Sequence, residues 1–508
     1  MKRFTLLAML IVALFTVNAQ NPGDFDPSFG TEGTQMFAPD GSVFIQGFAM
    51  AQMPDGRYLT TGRTRVNDSW QVYVSRHNSD GSLDDTFGQN GIALFNPTEY
   101  IHYAYDVAYY AELDRVLVLG YCFNSGLSTT YPFLMCLDTN GDLCADFAGN
   151  GFALINDGHP MVPRRMTIHE EMIYWGGYRD DLACVARFFP DGNLDTTFGE
   201  GGYSVFLNED ESGISNVEDV AVQPDGKIVA GSWYIHDGNE YDACVARLNS
   251  DGSLDSSFGE GGYCQFDIND NIDFLLGIAL QEDGKIVAGC HYGIYDPIVT
   301  TRYGVAAARV TADGQLDDSF GEDGLAKTEF VLGQNYCNGI VVGEDGQVFL
   351  GCYCITHGTN KQLMFVTNFT AEGQLNPDFG SGGYSVFGST ADGAENECHD
   401  ILLQDDGMLV GFGHEFHNGI MTRMYSGVTT ATEEQTSANT LAIYPNPVAE
   451  VLHFNNTEAA TAVVYDMMGR QVMRENVNGS LNVAKLPKGT YFIEVMGQDE
   501  TLKARFVK

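Results

Sequence analysis

The chain has 508 residues, of which 44% are hydrophobic and 59 are glycine, and its formal net charge is −42. This charge disfavours nucleic acid and anionic membranes as partners, and the apolar content excludes a disordered chain. No run of about 18 apolar residues follows the N-terminal segment, so we expect no transmembrane segment in the mature chain.

The N-terminal segment has the pattern of a secretory signal peptide. Lys2 and Arg3 give it a basic start, an apolar stretch follows, and small residues at 17–19 form a cleavage site. We predict a signal peptide at residues 1–19 and a mature chain that begins at Gln20. The alternative is an N-terminal helix of the core. The cleavage point has no cysteine, so we expect no bacterial lipid anchor there.

One motif occurs seven times in the following four hundred residues. Its best copy reads Asp251-Gly252-Ser253-Leu254-Asp255-Ser256-Ser257-Phe258-Gly259. The phenylalanine of the motif recurs at intervals of 51 to 62 residues, as Phe29, Phe87, Phe147, Phe198, Phe258, Phe320 and Phe379. A repeated interval of this size indicates an array of one supersecondary unit.

Four short strand patterns accompany each copy of the motif. In the copy at residues 217–263, two strands flank the turn Pro224-Asp225-Gly226, a third covers 243–248, and a fourth follows the motif. Four strands in about 60 residues, repeated many times, are typical of a β-propeller. We therefore predict an all-β fold, with a seven-bladed β-propeller of about 60-residue repeats followed by a small C-terminal β-sandwich.

The two ends of the repeat array are complementary. The last copy stops after its third strand, whereas a motif at residues 25–30 and a strand at 34–37 precede the first complete copy. We predict that Thr34–Phe37 pairs with Ile420–Tyr425 and completes the last blade. Such closure removes exposed strand edges, which would otherwise invite aggregation.

Structural roles are expected for most of the recurring residues. We predict that the motif phenylalanine wedges between neighbouring blades. Asp251 and Asp255 lack the 12-residue loop of a calcium-binding EF-hand, so turn and cap roles are favoured over calcium binding. The 11 cysteines recur at strand positions, such as Cys184 and Cys244. This pattern indicates small buried hydrophobic residues rather than a disulfide framework or a metal site.

The repeat resembles the delta-60 repeat family of bacterial exported β-propellers. The resemblance rests on the seven motif copies and on the Pro-Asp-Gly-Lys-Ile-Val-Ala-Gly hairpin at residues 224–231. It covers residues 24–428. It implies a propeller fold and no settled activity.

Polar residues are expected to surround one mouth of the central channel. By analogy with other propellers, the strand before the Pro-Asp-Gly turn should be innermost. Aligning its copies gives Gly47, Asp106, Arg165, Asp219, Gly277, Gly339 and Asp400, each preceded in turn by Gln46, Tyr105, Arg164, Glu218, Leu276, Asn338 and His399. We predict a ligand site there that includes Asp106, Arg165, Glu218, Asp219, Asn338, His399 and Asp400. Asp106, Asp219 and Asp400 are candidate calcium ligands, and solvated polar groups with Asp–Arg pairs are the alternative.

Aromatic residues lie in the predicted loops between the second and third strands. They include Trp70, Trp233 and Tyr292, together with Tyr121, Tyr234, Tyr241, Tyr295 and Tyr353. Aromatic side chains at such positions suit the recognition of a sugar or a protein. Packing of the loops themselves is the alternative.

The tail forms a separate region. We predict a flexible linker at residues 429–439 and a domain at 440–508. This domain resembles the type A C-terminal sorting domain of the Bacteroidetes type IX secretion system. The matching residues are Tyr444-Pro445-Asn446-Pro447, Asp466 with Gly469-Arg470, and Leu486 with Lys488-Gly489-Thr490-Tyr491. The resemblance implies export by the type IX machinery and removal of the domain near its start. An ordinary carbohydrate-binding or adhesive sandwich is the alternative.

Motifs of known catalysts are missing from the sequence. It has no G-x-S-x-G elbow, no H-E-x-x-H and no phosphate-binding loop. We therefore predict a binding module for glycan or protein that reaches the exterior or the outer-membrane surface through the periplasm. A hydrolase or lyase at the channel mouth and a purely structural surface protein are the alternatives. Calcium is the cofactor that the acidic ring suggests.

Overall fold

The computed structural model divides into two compact units, Met1–Thr430 and Ala431–Lys508. It describes residues 21–98, 100–206, 215–236, 240–269, 271–296, 302–359, 361–391 and 395–428 of the first unit, and 443–444, 448, 451–454, 460–466, 470–496 and 501–508 of the second. The predicted signal peptide and linker lie outside these ranges. The described residues are all-β, and none of their segments is a helix long and apolar enough to cross a membrane.

Antiparallel four-stranded sheets succeed one another along the first unit. The first strand of the chain is β1 (Thr34–Phe37). The first sheet contains β2 (Ser42–Gln52), β3 (Tyr58–Val66), β4 (Ser69–His77) and β5 (Ile92–Phe95), and the second contains β6 (Ile101–Tyr110), β7 (Arg115–Asn124), β8 (Thr129–Leu137) and β9 (Phe152–Leu154). The third contains β10 (Met161–His169), β11 (Met172–Arg179), β12 (Leu182–Phe188) and β13 (Tyr203–Val205), and the fourth contains β14 (Ser215–Val222), β15 (Ile228–His236), β16 (Glu240–Leu248) and β17 (Tyr263–Phe266). Each sheet follows the four strand patterns of one repeat.

The next two repeats share a single eight-stranded sheet. Their strands are β18 (Asp273–Leu280), β19 (Ile286–Gly293), β20 (Tyr303–Val310) and β21 (Leu325–Thr328), then β22 (Gly333–Val342), β23 (Val348–Thr356), β24 (Gln362–Phe369) and β25 (Tyr384–Phe387). The two halves are joined by one parallel pair, between Tyr303 and Gln334. Apart from this pair, each half repeats the antiparallel order of the other sheets.

The last sheet joins the two ends of the unit. It contains β26 (Asn396–Leu403), β27 (Met408–Glu415), β28 (Asn418–Tyr425) and β1. Thr34 lies opposite Thr422, and Phe37 lies opposite Gly419. The predicted pairing of the first strand with the last repeat is therefore confirmed, with partners at Gly419–Thr422 in place of the expected Ile420–Tyr425.

The first strands of successive repeats also close on themselves. β2, β6, β10, β14, β18, β22 and β26 contact one another in this order, and β26 contacts β2. Apolar clusters fill the spaces between neighbouring sheets. This arrangement turns one edge of every described sheet towards a common centre.

The recurring motif joins each repeat to the next. Phe258 is fully buried, and the backbone N–H of Gly259 donates to Asp313 O of the next repeat at 2.8 Å. Gly314 has a φ of +88°, and a Cβ there would lie 2.9 Å from the Phe258 ring. This close approach requires glycine. The predicted wedge role of the phenylalanine is confirmed.

An arginine and an aspartate complete the motif. Arg247 on β16 donates to Asp255 Oδ2 at 2.8 Å, donates to Ala312 O of the next repeat at 2.7 Å, and lies 4.5 Å from the centre of the Phe258 ring. Asp255 Oδ1 also accepts from the backbone N–H of Ser257 at 3.1 Å. These contacts confirm the predicted turn and cap role of the motif aspartates.

All 11 cysteines lie among the described residues, where each is buried and free. Burial raises the pKa of thiols such as Cys122, to about 12. A thiol with so high a pKa is neutral and unreactive at neutral pH. The expectation of small buried hydrophobic cysteines is confirmed.

The second unit contains two sheets. One has β29 (Ile443–Tyr444), β30 (Val451–Phe454) and β33 (Ser480–Asn482), and the other has β32 (Gln471–Val477), β31 (Ala460–Asp466), β34 (Thr490–Met496) and β35 (Thr501–Val507). Leu452 and Leu481 of the first sheet belong to the same apolar cluster as Val464 and Ile493 of the second. Much of the predicted motif at 444–447 lies outside the described residues.

Candidate functional site

A β-bulge near the middle of each innermost strand places two residues at the centre of the first unit. At this point one strand has an extra residue that its partner does not match. The bulged residues are Phe48, Tyr105, Arg164, Glu218, Leu276, Asn338 and His399. The residues that follow them are Ala49, Asp106, Arg165, Asp219, Gly277, Gly339 and Asp400.

The bulges confirm the predicted alignment in six repeats and correct it in the first. Gln46 and Gly47 were expected at the two positions, whereas the structure places Phe48 and Ala49 there. β2 has a second bulge between Ser42 and Phe44. The register from bulge to turn is nevertheless that of the other repeats, because Ala49 lies five residues before Pro54 as Asp219 lies five before Pro224. Alignment on the turn would therefore have placed the first strand correctly.

A cavity of about 250 Å³ lies where these strands converge. Every innermost strand contributes to its wall. Asp106, Arg165, Asp219, Asn338 and Asp400, all predicted from the sequence, line it. A larger groove of about 620 Å³ runs beside the motifs of the first two repeats and contains none of the predicted site residues.

Arg165 is the central cation of this cavity. Its Nη1 lies 3.4 Å from Asp106 Oδ1 and 3.2 Å from Asp400 Oδ2, and its Nη2 donates to His399 O at 3.3 Å. Burial opposes its charge, but the carboxylates of Asp400, Asp106 and Asp219 outweigh that effect and raise the pKa of Arg165 above its ordinary value. The arginine therefore remains charged and partly balances three acidic groups.

The three aspartates connect neighbouring repeats through backbone amides. Asp106 Oδ2 accepts from Met166 N at 2.6 Å, Asp219 Oδ2 from Ile278 N at 2.8 Å, and Asp400 Oδ2 from Met50 N at 2.8 Å. In each pair the amide belongs to the residue after the equivalent position in the next repeat, so the three bridges share one geometry.

Two of these carboxyl groups have raised pKa values. Burial raises the pKa of Asp106 to about 7 and that of Asp219 to about 6, against the opposing effect of Arg165. Amide hydrogen bonds already occupy part of the oxygen surface that a metal would need. Calcium binding by Asp106, Asp219 and Asp400 stays a prediction.

Aromatic side chains of several repeats contact one another on the strands that carry the bulges and on their neighbours. We call this set the aromatic rim, and it comprises Phe48, Trp70, Tyr103, Tyr105, Tyr121, Trp233, Tyr241, Phe274, Tyr303, Tyr336 and Tyr353. All of them are partly buried, so each ring retains an accessible surface.

One half of the rim is a stack built by the first two repeats. The rings of Tyr103 and Tyr121 are 4.8 Å apart, and Tyr105 lies 5.7 Å from Tyr121. The guanidinium of Arg63 lies 4.5 Å from the Trp70 ring and 4.2 Å from the Tyr103 ring. Cation–π contacts of this kind hold the aromatic planes in place.

The other half of the rim is built by the fourth to sixth repeats. Trp233 and Phe274 are 5.3 Å apart, Tyr303 and Tyr336 are 5.5 Å apart, and Tyr336 stacks on Tyr353 at 4.8 Å. These contacts cross from one repeat to the next, so the rim is continuous over several sheets.

Arg164 and Glu218 connect the two halves. Arg164 Nε lies 3.4 Å from Glu218 Oε2, and its guanidinium lies 5.4 Å from the Tyr105 ring. Glu218 Oε1 accepts from Trp233 Nε1 at 2.9 Å. The predicted residue Glu218 therefore positions the indole of the predicted residue Trp233.

The predicted loop placement is wrong for seven of the eight aromatic residues. They lie on strands β4, β7, β15, β16, β19 and β23, and they are Trp70, Tyr121, Trp233, Tyr234, Tyr241, Tyr292 and Tyr353. Tyr292 is also 7% exposed and belongs to the apolar core. Successive residues of a strand point to opposite faces, so His291 contacts rim residues whereas Tyr292 points away from them.

Several site residues were missed by the sequence prediction. Tyr103 and Tyr105 have the two-residue spacing of one strand face, a signal that could have found them. Glu397 and His414 lie beside the predicted residue His399, and their ligating atoms are all within 4.8 Å of one another. Asp242, Asp267 and Asp273 form a second such group in the described part of the chain.

Comparisons with solved structures give weak overall similarity. A polysaccharide lyase of family PL25, an ulvan lyase, aligns with a TM-score of 0.45 and 10% identity over 77% of this chain and 96% of its own. The Dos1 propeller aligns with a TM-score of 0.42 and 9% identity over 77% of this chain and 94% of its own. An endo-arabinase from Bacteroides thetaiotaomicron aligns with a TM-score of 0.31 and 13% identity over 52% of this chain and 93% of its own. No curated protein matches the chain.

Family models match both units. A β-propeller domain of unknown function, DUF5122, matches residues 54–87, 177–198 and 223–258. A secretion system C-terminal sorting domain matches residues 442–508, which indicates an exported protein handled by the type IX system. Parts of the first unit are thus similar to the DUF5122 β-propeller domain, and residues 442–508 are similar to a secretion-system C-terminal sorting domain.

Proposed function

We propose that this protein is an exported, non-enzymatic glycan-binding module with a seven-bladed β-propeller at residues 24–428. In this proposal the eight-stranded sheet counts as two blades, and residues 440–508 are a small β-sandwich. A signal peptide at 1–19 would direct the chain to the periplasm, and the type IX machinery of a Bacteroidetes cell would carry it across the outer membrane. It would then be released or held at the cell surface.

The observation that carries this proposal is the aromatic rim, whose members Phe48 and Tyr105 directly precede the inward positions of their strands. Glycan sites commonly present ring faces for stacking and a few charged groups for hydrogen bonding, because sugars have both apolar faces and hydroxyl edges. The rim offers stacking faces at Tyr105 and Trp233, with Arg164 and Glu218 between them. A protein partner is the other ligand class that such a surface suits.

A hydrolase or lyase at the same mouth is the second candidate. Asp106 favours it, because burial raises the pKa of this carboxyl group to about 7. Groups with such values are frequent among general acids and bases. Against it, the Asp106 carboxylate accepts amide hydrogen bonds from Met166 and Val107 that give it a structural role. A purely structural surface protein, without a specific ligand, is the third candidate.

The test is binding of the purified chain to a panel of soluble polysaccharides by affinity electrophoresis and calorimetry. We expect Tyr105→Ala and Trp233→Ala each to weaken binding by about 2- to 10-fold. Tyr295→Ala is the matched control, since Tyr295 is 85% exposed and outside the rim. Unchanged binding by both rim variants would contradict the proposal.

The same samples separate binding from catalysis. Release of reducing ends or unsaturated sugars that Asp219→Asn abolishes, while binding persists, would favour the enzyme. Binding without product would favour the module. No binding to any polysaccharide or peptide in the panel would favour the structural role.

A further inference from the structure

We propose that Glu397, His399 and His414 bind one divalent transition-metal ion, such as zinc, beside the central cavity. Two paired strands supply the three side chains. Glu397 and His399 lie two residues apart on β26, and His414 on β27 is the register partner of Glu397. Directly opposed residues have Cβ atoms about 5 Å apart, so the three side chains converge. This inference does not depend on the proposed glycan binding.

The distances are close to those of a formed site. His399 Nε2 lies 3.0 Å from Glu397 Oε2, and His414 Nε2 lies 4.0 Å from the same oxygen. Ligands of a tetrahedral zinc ion at about 2.1 Å are roughly 3.4 Å apart. Small rotations of the side chains would therefore bring all three atoms into range. The two imidazole rings are nearly parallel, with an angle of 15° between their planes and 5.4 Å between their centres.

The environment of His414 provides a second observation. This side chain is 4% exposed, and its Nδ1 has no hydrogen-bond partner. Its Nε2 is too far from Glu397 for a hydrogen bond. Buried imidazoles normally satisfy their nitrogens. The atom without a partner is Nδ1, whereas Nε2 is the atom that faces Glu397. An ion on Nε2 would give this buried ring a polar partner, and a neutral buried imidazole is the form that binds a metal.

A positive side chain near the group, Arg63, is engaged elsewhere. Arg63 donates to Gln46 Oε1 at 2.7 Å and lies between the rings of Trp70 and Tyr103. His399 makes its ring contacts with Phe48 and His414. The group thus consists of one carboxylate, from Glu397, and two imidazoles, from His399 and His414.

The donor set selects the class of ion. Two imidazole nitrogens and one carboxylate suit zinc, copper, nickel or iron, whereas calcium and magnesium prefer oxygen ligands. Three protein ligands leave at least one coordination position for water or for a bound ligand. The partly exposed side chains of Glu397 and His399 place that position on the accessible side of the group.

The experiment titrates zinc chloride into the purified chain by calorimetry after chelator treatment and desalting. A large excess of calcium chloride occupies oxygen-only sites such as Asp242, Asp267 and Asp273. We expect one zinc ion per chain. Glu397→Gln, His399→Ala and His414→Gln should each weaken binding by about 10- to 100-fold or more, since even outer-shell changes have effects of that size.

His417→Ala is the matched control, because His417 is exposed on the adjoining turn and outside the group. It should bind zinc as the wild type does. Circular dichroism checks the fold of each variant. If His414→Gln unfolds, the two partly exposed positions decide the outcome. Wild-type zinc affinity in Glu397→Gln and His399→Ala, or no saturable zinc binding in excess calcium, would overturn the proposal.

Discussion

The side-chain hydroxyls of Thr34 and Thr422 lie 3.2 Å apart, although 388 positions separate them in the chain. They face each other on β1 and β28, where the first strand of the chain completes the sheet of the last repeat. Asp26 and Arg423 add a salt bridge between the same two ends. The stability of the whole array therefore depends on residues near the N-terminus.

Phe37→Ala tests this closure. Phe37 is 5% exposed, and its ring lies 4.6 Å from the His77 ring of the next sheet and 6.5 Å from the Phe412 ring of its own. Removing such a ring leaves a cavity, so we expect the free energy of unfolding to fall by about 3–5 kcal/mol. Urea denaturation measures it. Val43→Ala, at a 57% exposed position, should change it by no more than about 0.5 kcal/mol. Equal effects of the two substitutions would contradict the closure.

Asp255→Ala tests the motif. The change leaves the buried guanidinium of Arg247 without its carboxylate partner. Breaking one partner of a buried pair costs about 3–5 kcal/mol. Asp251→Ala, in the exposed turn of the same motif, removes hydrogen bonds from Ser253 that water can replace, so it should cost less than Asp255→Ala. Denaturation of both variants at neutral pH measures the loss in the free energy of unfolding. A larger loss for Asp251→Ala than for Asp255→Ala would refute the prediction.

His77 should make the protein less stable in mild acid. Burial lowers its pKa from 6.5 to about 4. Between these pH values the unfolded chain binds one proton more than the folded chain, so the free energy of unfolding falls as pH falls. The His77→Gln variant should lose about 2 kcal/mol less of its free energy of unfolding than the wild type between about pH 7 and pH 4.5.

Denaturation curves at the two pH values measure this difference. His417→Gln is the control, since its side chain is exposed, and it should leave the pH dependence as in the wild type. A His77→Gln variant with the wild-type pH dependence would show that the buried imidazole is not the responsible group.

Arg165→Gln should destabilise the centre of the first unit, and more so at high pH. The variant leaves the carboxylates of Asp106 and Asp400 without their shared cation. The expected loss is about 3–5 kcal/mol near pH 8. The pKa of Asp106, already raised to about 7 by burial, would rise further without Arg165, so protonation should relieve part of the loss near about pH 5.5.

Arg65→Gln is the matched control for this comparison. Arg65 pairs with Asp68 on the surface, where the two side chains are 44% and 91% exposed. Such pairs contribute about 0–1 kcal/mol. A loss for Arg165→Gln that is as small as that of Arg65→Gln, or that grows as pH falls, would contradict the central role of the guanidinium.

The candidate site shows where a pattern along the chain stops being informative. Six of the seven innermost strands could be aligned from turn positions, and Asp106, Arg165 and Asp400 meet as expected. The first strand was misaligned by two residues, although its bulge at Phe48 has the same spacing from Pro54 as the bulge at Glu218 has from Pro224. Tyr292 was misplaced because neighbouring residues of a strand point to opposite faces. A difference of one position therefore decides whether a side chain lies on the rim face or on the core face.

The sequence by itself determined the all-β repeat, the wedge phenylalanine and the pairing of the chain ends, because these depend on a local pattern that recurs seven times. Only the tertiary structure decided which side chains meet around the cavity. The stack of Tyr103 on Tyr121, the bridge from Glu218 to Trp233 and the group of Glu397, His399 and His414 each join residues of paired strands. Their contacts depend on which side chains face each other across paired strands and at the bulges, and the packing of the whole array decides this.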